Sequence, residues 1–169
     1  GMTASGQPFL GLEYVAGQRI DRYCQARKLP VSARLELFLQ VAGAIAFAHR
    51  SLVLHRDLKP SNILVTDEGA VRVLDFGIAK LLEFGRTEET DLTLYAGHAL
   101  TLDYASPEQI AGEPLTVSSD VYSLCVVLYE LLTGARPYRL KRKSAVALQE
   151  QILEIEPPAP SKIVGDTEL

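Results

Sequence analysis

The sequence predicts a mainly α fold of the α+β kind, with short β-hairpins gathered around one polar loop. Three observations lead there. Leu35, Phe38, Leu39, Ala42, Ile45 and Ala46 recur at helical spacing, which marks a long helix with one apolar face. The stretch "DVYSLCVVLYELL" from Asp120 is apolar nearly all round, the pattern of a helix buried in a core. Between these two helices, short apolar stretches bracket "HRDLKPSN" at 55–62. That run sets a cation, a carboxylate, a second cation and an amide close together, an order that a plain solvent loop does not need.

The other elements follow along the chain. Pro8 to Val15, "PFLGLEYV", mixes aromatic and β-branched residues and reads as a strand, ended by Gly17. Gln18 to Arg27 forms a short helix. Pro30, Val31 and Ser32 open the long one, with Ser32 as its N-cap. Ile63–Val65 and Val71–Leu74 are strands joined by the turn residues Asp67, Glu68 and Gly69. Gly77 to Gly97 has little periodicity and reads as a long loop, a length that usually serves function. Ser118 or Ser119 caps the second long helix, which stops at Thr133 before Gly134 and Pro137. Ser144 to Ile155 forms a further helix, and "EPPAPS" forces an extended segment.

Composition sets the bounds. The 169 residues are enough for one compact domain. With 47% hydrophobic residues and a mean hydropathy of +0.10, the chain can build a core. A net charge of −4 gives no case for nucleic acid as a partner. Cys24 and Cys125 stand far apart, without zinc-ligand spacing, and read as two buried free thiols. No apolar run is expected to reach the ~18–20 residues of a membrane span, and no signal peptide is visible, so a cytoplasmic location is expected. Gly1 before Met2 looks like a tag-cleavage remnant, with the reading frame opening at Met2.

Four features now stand in one order: "HRDLKPSN" at 55–62, "DFG" at 75–77, "SPE" at 106–108, and the apolar helix from Asp120. That order and rough spacing resemble a protein kinase. "GLEYVAGQ", "VLDFGIAK", "YASPEQ" and "DVYSLCVVLYELLTGARPY" are similar to bacterial eukaryotic-type Ser/Thr kinases in particular, from Gly6 to about Ser161. The resemblance implies ATP and Mg²⁺ as cofactors and a protein as phosphoryl acceptor. It also implies an architecture: residues 1–17 as a strand and hinge remnant, 18–161 as the C-terminal lobe, and 162–169 as a tail.

The resemblance assigns roles residue by residue. Asp57 would orient the acceptor hydroxyl and take its proton, with Lys59 as a point charge at the transferring phosphoryl. Asn62 and Asp75 would offer hard oxygens to Mg²⁺. Glu13 and Val15 would meet adenine through their backbone, with Leu64 beneath it. Thr101 would contact the catalytic loop. Arg56 would receive a phosphorylated loop residue, for which Thr87, Thr90 and Thr93 are candidates. Asp120 would bind the catalytic-loop backbone, and His55 would pack beside Phe76. His49 and His98 are isolated and receive no role.

Part of the family pattern lies outside these residues. No G-x-G-x-x-G and no lysine precede Glu13, since the first lysine is Lys28. The N-terminal lobe is therefore expected to be absent, together with the arginine that the family pairs with the position of Glu108. The chain alone is then expected to be almost inactive, with self-association or a lobe-supplying partner as further expectations. Two alternatives belong to other classes: a non-catalytic interaction or dominant-negative fragment, and a small-molecule phosphotransferase of similar fold.

Overall fold

Along the chain, a two-residue strand β1 (Gln18–Arg19) leads straight into helix α1 (Ile20–Ala26), and Pro30 opens the 20-residue helix α2 (Val31–Arg50). A 3₁₀ turn (Pro60–Asn62) precedes strands β2 (Ile63–Val65) and β3 (Val71–Val73). A second 3₁₀ turn (Leu102–Tyr104) precedes α3 (Pro107–Ala111), α4 (Val117–Thr133) and α5 (Pro160–Ile163). The computed structural model describes residues 1–3, 5, 7, 9, 11, 13–76, 102–138, 150–152 and 155–163. The long loop 77–97 and most of the helix expected at 144–155 lie outside the described residues; of that helix, 150–152 are described and are helical.

The three strands form one antiparallel sheet in the order β1-β2-β3. Gln18 pairs with Val65, and Ile63 with Val73. The first strand is therefore not 8–15, where the described residues 9, 11 and 13–15 are irregular. Strand propensity is expressed only against a paired neighbour, and Gln18 and Arg19 have theirs in Val65 and Leu64. The helix expected from Gln18 starts at Ile20 for the same reason.

The core joins Ile20 and Cys24 of α1, Val41 and Ile45 of α2, Ile63 and Val65 of β2, and Val127 of α4. Helix α2 turns Leu37, Val41, Ile45 and Ala48 inward, a stripe at helical spacing. The face expected from periodicity is rotated from this one: Leu39 is 68% exposed and Ala46 is also outside. Apolar residues occur on nearly every side of α2, so spacing alone does not select the buried face. Packing against α4 and β3 does. Helix α2 is also long and apolar enough, by length and composition, to cross a membrane. A core helix of a globular domain meets the same criteria, and the inward stripe of α2 is packed into the core here. Trimming this stripe should be costly: Ile45→Ala is expected to lose about 2–5 kcal/mol by chemical denaturation, because Ile45 is fully buried.

Capping differs from expectation in two places. Helix α2 begins after Pro30, not Ser32. Helix α4 is capped by Thr116, whose Oγ1 accepts from the Ser118 N–H, while its own N–H donates to Ser119 Oγ. Gly134 ends α4 at φ 70°, a left-handed position that suits glycine. Arg34 ties the two long helices, donating to the carbonyls of Leu29 and Leu131 at 2.8 Å each. The "EPPAPS" stretch is extended only to Ala159, after which Pro160 starts α5. Helix α4 is not buried all round: Val117, Val121 and Cys125 form an outward stripe, so only Cys24 is a buried thiol.

Candidate active site

One buried carboxylate shapes the polar run. Asp120, 2% exposed in the first turn of α4, accepts from the His55 N–H at 2.8 Å and the Arg56 N–H at 2.9 Å. His49 Nε2, from the last turn of α2, lies 2.8 Å from the same group. These bonds hold Arg56 at φ 66°, a left-handed position rare for a residue with a side chain.

His55 is fully buried. The Asp57 N–H donates to its Nδ1 at 3.3 Å, so the ring proton belongs on Nε2, which donates to the Leu74 carbonyl at 2.9 Å. The ring packs on Phe76 with centroids 4.8 Å apart. Burial holds its pKa below the ordinary 6.5. Below pH 6.5 the unfolded chain therefore carries more protons at this residue than the folded one. Stability is expected to fall as pH drops from 7 to 5, and the slope should flatten in His55→Phe, checked by denaturation at each pH. A second proton would also set a donor at Nδ1 against the Asp57 N–H.

Three polar side chains converge beyond His55. Lys59 Nζ lies 2.7 Å from Asp57 Oδ2. Asn62 Nδ2 donates to the Asp57 carbonyl at 2.9 Å and to its Oδ2 at 3.2 Å. Two acceptors facing one amide fix its orientation and leave Asn62 Oδ1 turned away from Asp57. The Leu74 N–H donates to the Asn62 carbonyl at 2.8 Å, which brings the end of β3 beside the loop. Asp75 follows directly, exposed, at φ 55°. An amide oxygen and a carboxylate are the hard donors that Mg²⁺ takes alongside phosphate oxygens. The donor set fits that ion.

The residues expected to meet adenine lie on β2 and on the segment before β1. Leu64 is half-buried on β2, opposite Arg19. Gly17 passes so near that a Cβ there would stand 3.0 Å from the Val65 carbonyl oxygen and 3.3 Å from Leu64 Cβ. Glu13 is exposed and Val15 half-buried, both on irregular backbone leading into β1. Thr87, Thr90, Thr93 and Thr101 lie outside the described residues.

Several contacts were not legible in sequence. His49 reaches Asp120 across 71 residues, and Gln109 donates to the Arg56 carbonyl at 2.9 Å across 53. Neither carries a local signal. Ser106 accepts from the Gln109 N–H and caps α3. The Tyr104 hydroxyl donates to Glu130 at 2.5 Å, and burial pushes both groups above their usual pKa values. Glu108 has a partner in Ser119 Oγ at 2.5 Å. Burial acts to raise its pKa, but the bonds it accepts from Ser119, the backbone and Ser106 hold it below the usual range.

A carboxylate, a lysine and an amide thus converge on a loop anchored by a buried aspartate. A family model described as the protein kinase domain matches residues 2–164. The chain belongs to the protein kinase domain family. It is 38% identical over 169 residues to the serine/threonine-protein kinase pkn3 of Myxococcus xanthus, covering 96% of this chain and 30% of that protein. It is 38% identical over 152 residues to the serine/threonine-protein kinase PrkC of Bacillus subtilis, covering 89% and 22%. A probable serine/threonine-protein kinase PknB of Lactococcus lactis is 35% identical over 164 residues, covering 93% and 25%. The chain thus spans a third or less of the length of these relatives.

Proposed function

We propose that this chain is the C-terminal lobe of a serine/threonine protein kinase, with residues 18–161 as the lobe, and that Asp57 is its general base. The observation that carries the reading is the grip on Asp57: Lys59 at 2.7 Å and Asn62 at 3.2 Å on one carboxylate oxygen. Asp57 would accept the proton of a Ser or Thr hydroxyl as the oxygen attacks the γ-phosphoryl. Lys59, poised on the same oxygen, would turn its charge toward the phosphoryl oxygens. Asn62 Oδ1 and the Asp75 carboxylate would hold Mg²⁺. When bound, that ion supplies charge neutralisation at the transferring group. Leu64 would lie under adenine, with Glu13 and Val15 at its edge. The half-buried Asp57–Lys59 pair would meet a polypeptide acceptor at its solvent-facing side.

The grip on the α- and β-phosphates is not among these residues, so the 169-residue chain assayed by itself is expected to turn over feebly. Losing one charge-assisted hydrogen bond costs about 1.5–3 kcal/mol, and lost alignment costs more. The test is transfer of labelled γ-phosphoryl to protein and small-molecule panels, using this chain and the longest product of its gene. Labelled phosphoserine or phosphothreonine is the expected product. Transfer to small molecules alone would overturn the reading. Metal binding is checked apart from turnover: Mn²⁺ is expected to broaden the NMR signals of Asn62 and Asp75 first, and those of the far end of α4, Leu131–Thr133, last.

A further inference from the structure

The peptide that carries Asp57 is held from several directions. Asp120 takes the N–H groups of His55 and Arg56, and His55 Nδ1 takes the N–H of Asp57. One group in that stretch faces the other way, the carbonyl of Arg56, and it accepts from Gln109 Nε2 at 2.9 Å. Gln109 is itself buried, on α3, just after the "SPE" motif. Its own N–H is tied to Ser106 Oγ at 3.3 Å, so the residue sits in a capped turn of fixed place.

We infer that Gln109 is a positioning residue for phosphoryl transfer: through the Arg56 carbonyl it fixes the peptide plane between Arg56 and Asp57. This rests on the reading of Asp57 as the base. The Arg56–Asp57 peptide can rotate only if its oxygen and its N–H both lose their partners. His55 holds the N–H through a long bond of 3.3 Å, and Gln109 holds the oxygen through a shorter one. Rotation of that plane would carry the Asp57 side chain away from Lys59 and Asn62. The contact also links the loop to the segment 102–109, which is itself fastened to α4. Tyr104 donates to Glu130, Ser123 donates to the Tyr104 carbonyl, and Ser119 donates to Glu108. A shift of that segment is thereby transmitted to the base.

The test compares Gln109→Leu and Gln109→Glu with the parent chain. A carbonyl that loses a donor shows it in its own ¹³C resonance. The Arg56 carbonyl signal is expected to move upfield in Gln109→Leu, while the signals of α4 stay in place. In Gln109→Glu the carboxylate cannot donate, but the protonated acid can. The Arg56 signal should return toward the parent position as pH is lowered through the carboxyl titration, about 4.3 or somewhat higher after burial. In the longest active product, Gln109→Leu should lower kcat about tenfold or more at little-changed KM for ATP, the loss expected of misplacement. An unmoved Arg56 signal in both variants overturns the inference. Absence of any transfer that depends on Asp57 overturns the reading of the base instead, and leaves the carbonyl shift as a separate result.

Discussion

Asp57→Asn is expected to remove nearly all phosphotransfer while leaving the fold almost untouched. The two halves of that statement have different physical sources. A positioned general base contributes about 10²–10⁴ to a proton-transfer step, and an amide cannot take the proton. The shape of the substitution is nearly preserved, so Asn62 Nδ2 can still donate to the new side-chain oxygen. The ion pair with Lys59 is lost, but both partners are partly exposed, at 23% and 24%. An exposed pair of this kind is worth about 0–1 kcal/mol. The expected shift in melting temperature is therefore at most about 2–4 °C for a domain of this size. Initial rates and a thermal melt on the same preparation check both halves. Retention of more than a tenth of the parent rate would remove Asp57 from the role of base, whatever the melt shows.

The difference between what sequence pattern reveals and what only packing reveals is visible in α2 and in the polar loop. The loop was legible because its chemistry is local: Asp57, Lys59 and Asn62 lie within six positions, and a 3₁₀ turn at Pro60–Asn62 suffices to bring them together. The β2–β3 hairpin was legible for a similar reason, since the turn residues Asp67 to Gly69 stand between two short apolar runs. The buried face of α2 was not. A helix with leucine, valine, alanine and phenylalanine on most sides has no single preferred face until α4 and β3 press on it. Capping failed at both long helices by two or three residues, because several candidates stood close together and backbone geometry chose among them. Thr116 caps α4, and Ser119, one of the two expected caps, serves instead as the third helical residue that completes the capping box. The clamp on the loop was half legible. Asp120 could be placed from the family pattern, whereas His49 reaches Asp120 across 71 residues and Gln109 reaches the loop across 53. Contacts of that range are products of the fold and leave no periodic trace.

Asp120→Ala should reverse the balance seen at Asp57, with a large loss of stability. The carboxylate accepts from two backbone N–H groups and faces His49 Nε2, all within 2.9 Å. At 2% exposure, no water replaces it cheaply. Each buried donor left without a partner costs about 1–3 kcal/mol, so the variant is expected to lose on the order of 3–6 kcal/mol. For a domain of this length that corresponds to roughly 10–20 °C in melting temperature. The amides of His55 and Arg56, which donate to Asp120, should then exchange with solvent far faster than those of α4. His49→Ala removes a single donor and should cost clearly less. If the three groups form one network, the double variant His49→Ala/Asp120→Ala will cost less than the sum of the two single ones, because His49 has little to lose once its acceptor is gone. Strict additivity would mean that His49 stabilises α2 independently of the loop. The loop would then hang from Asp120 alone.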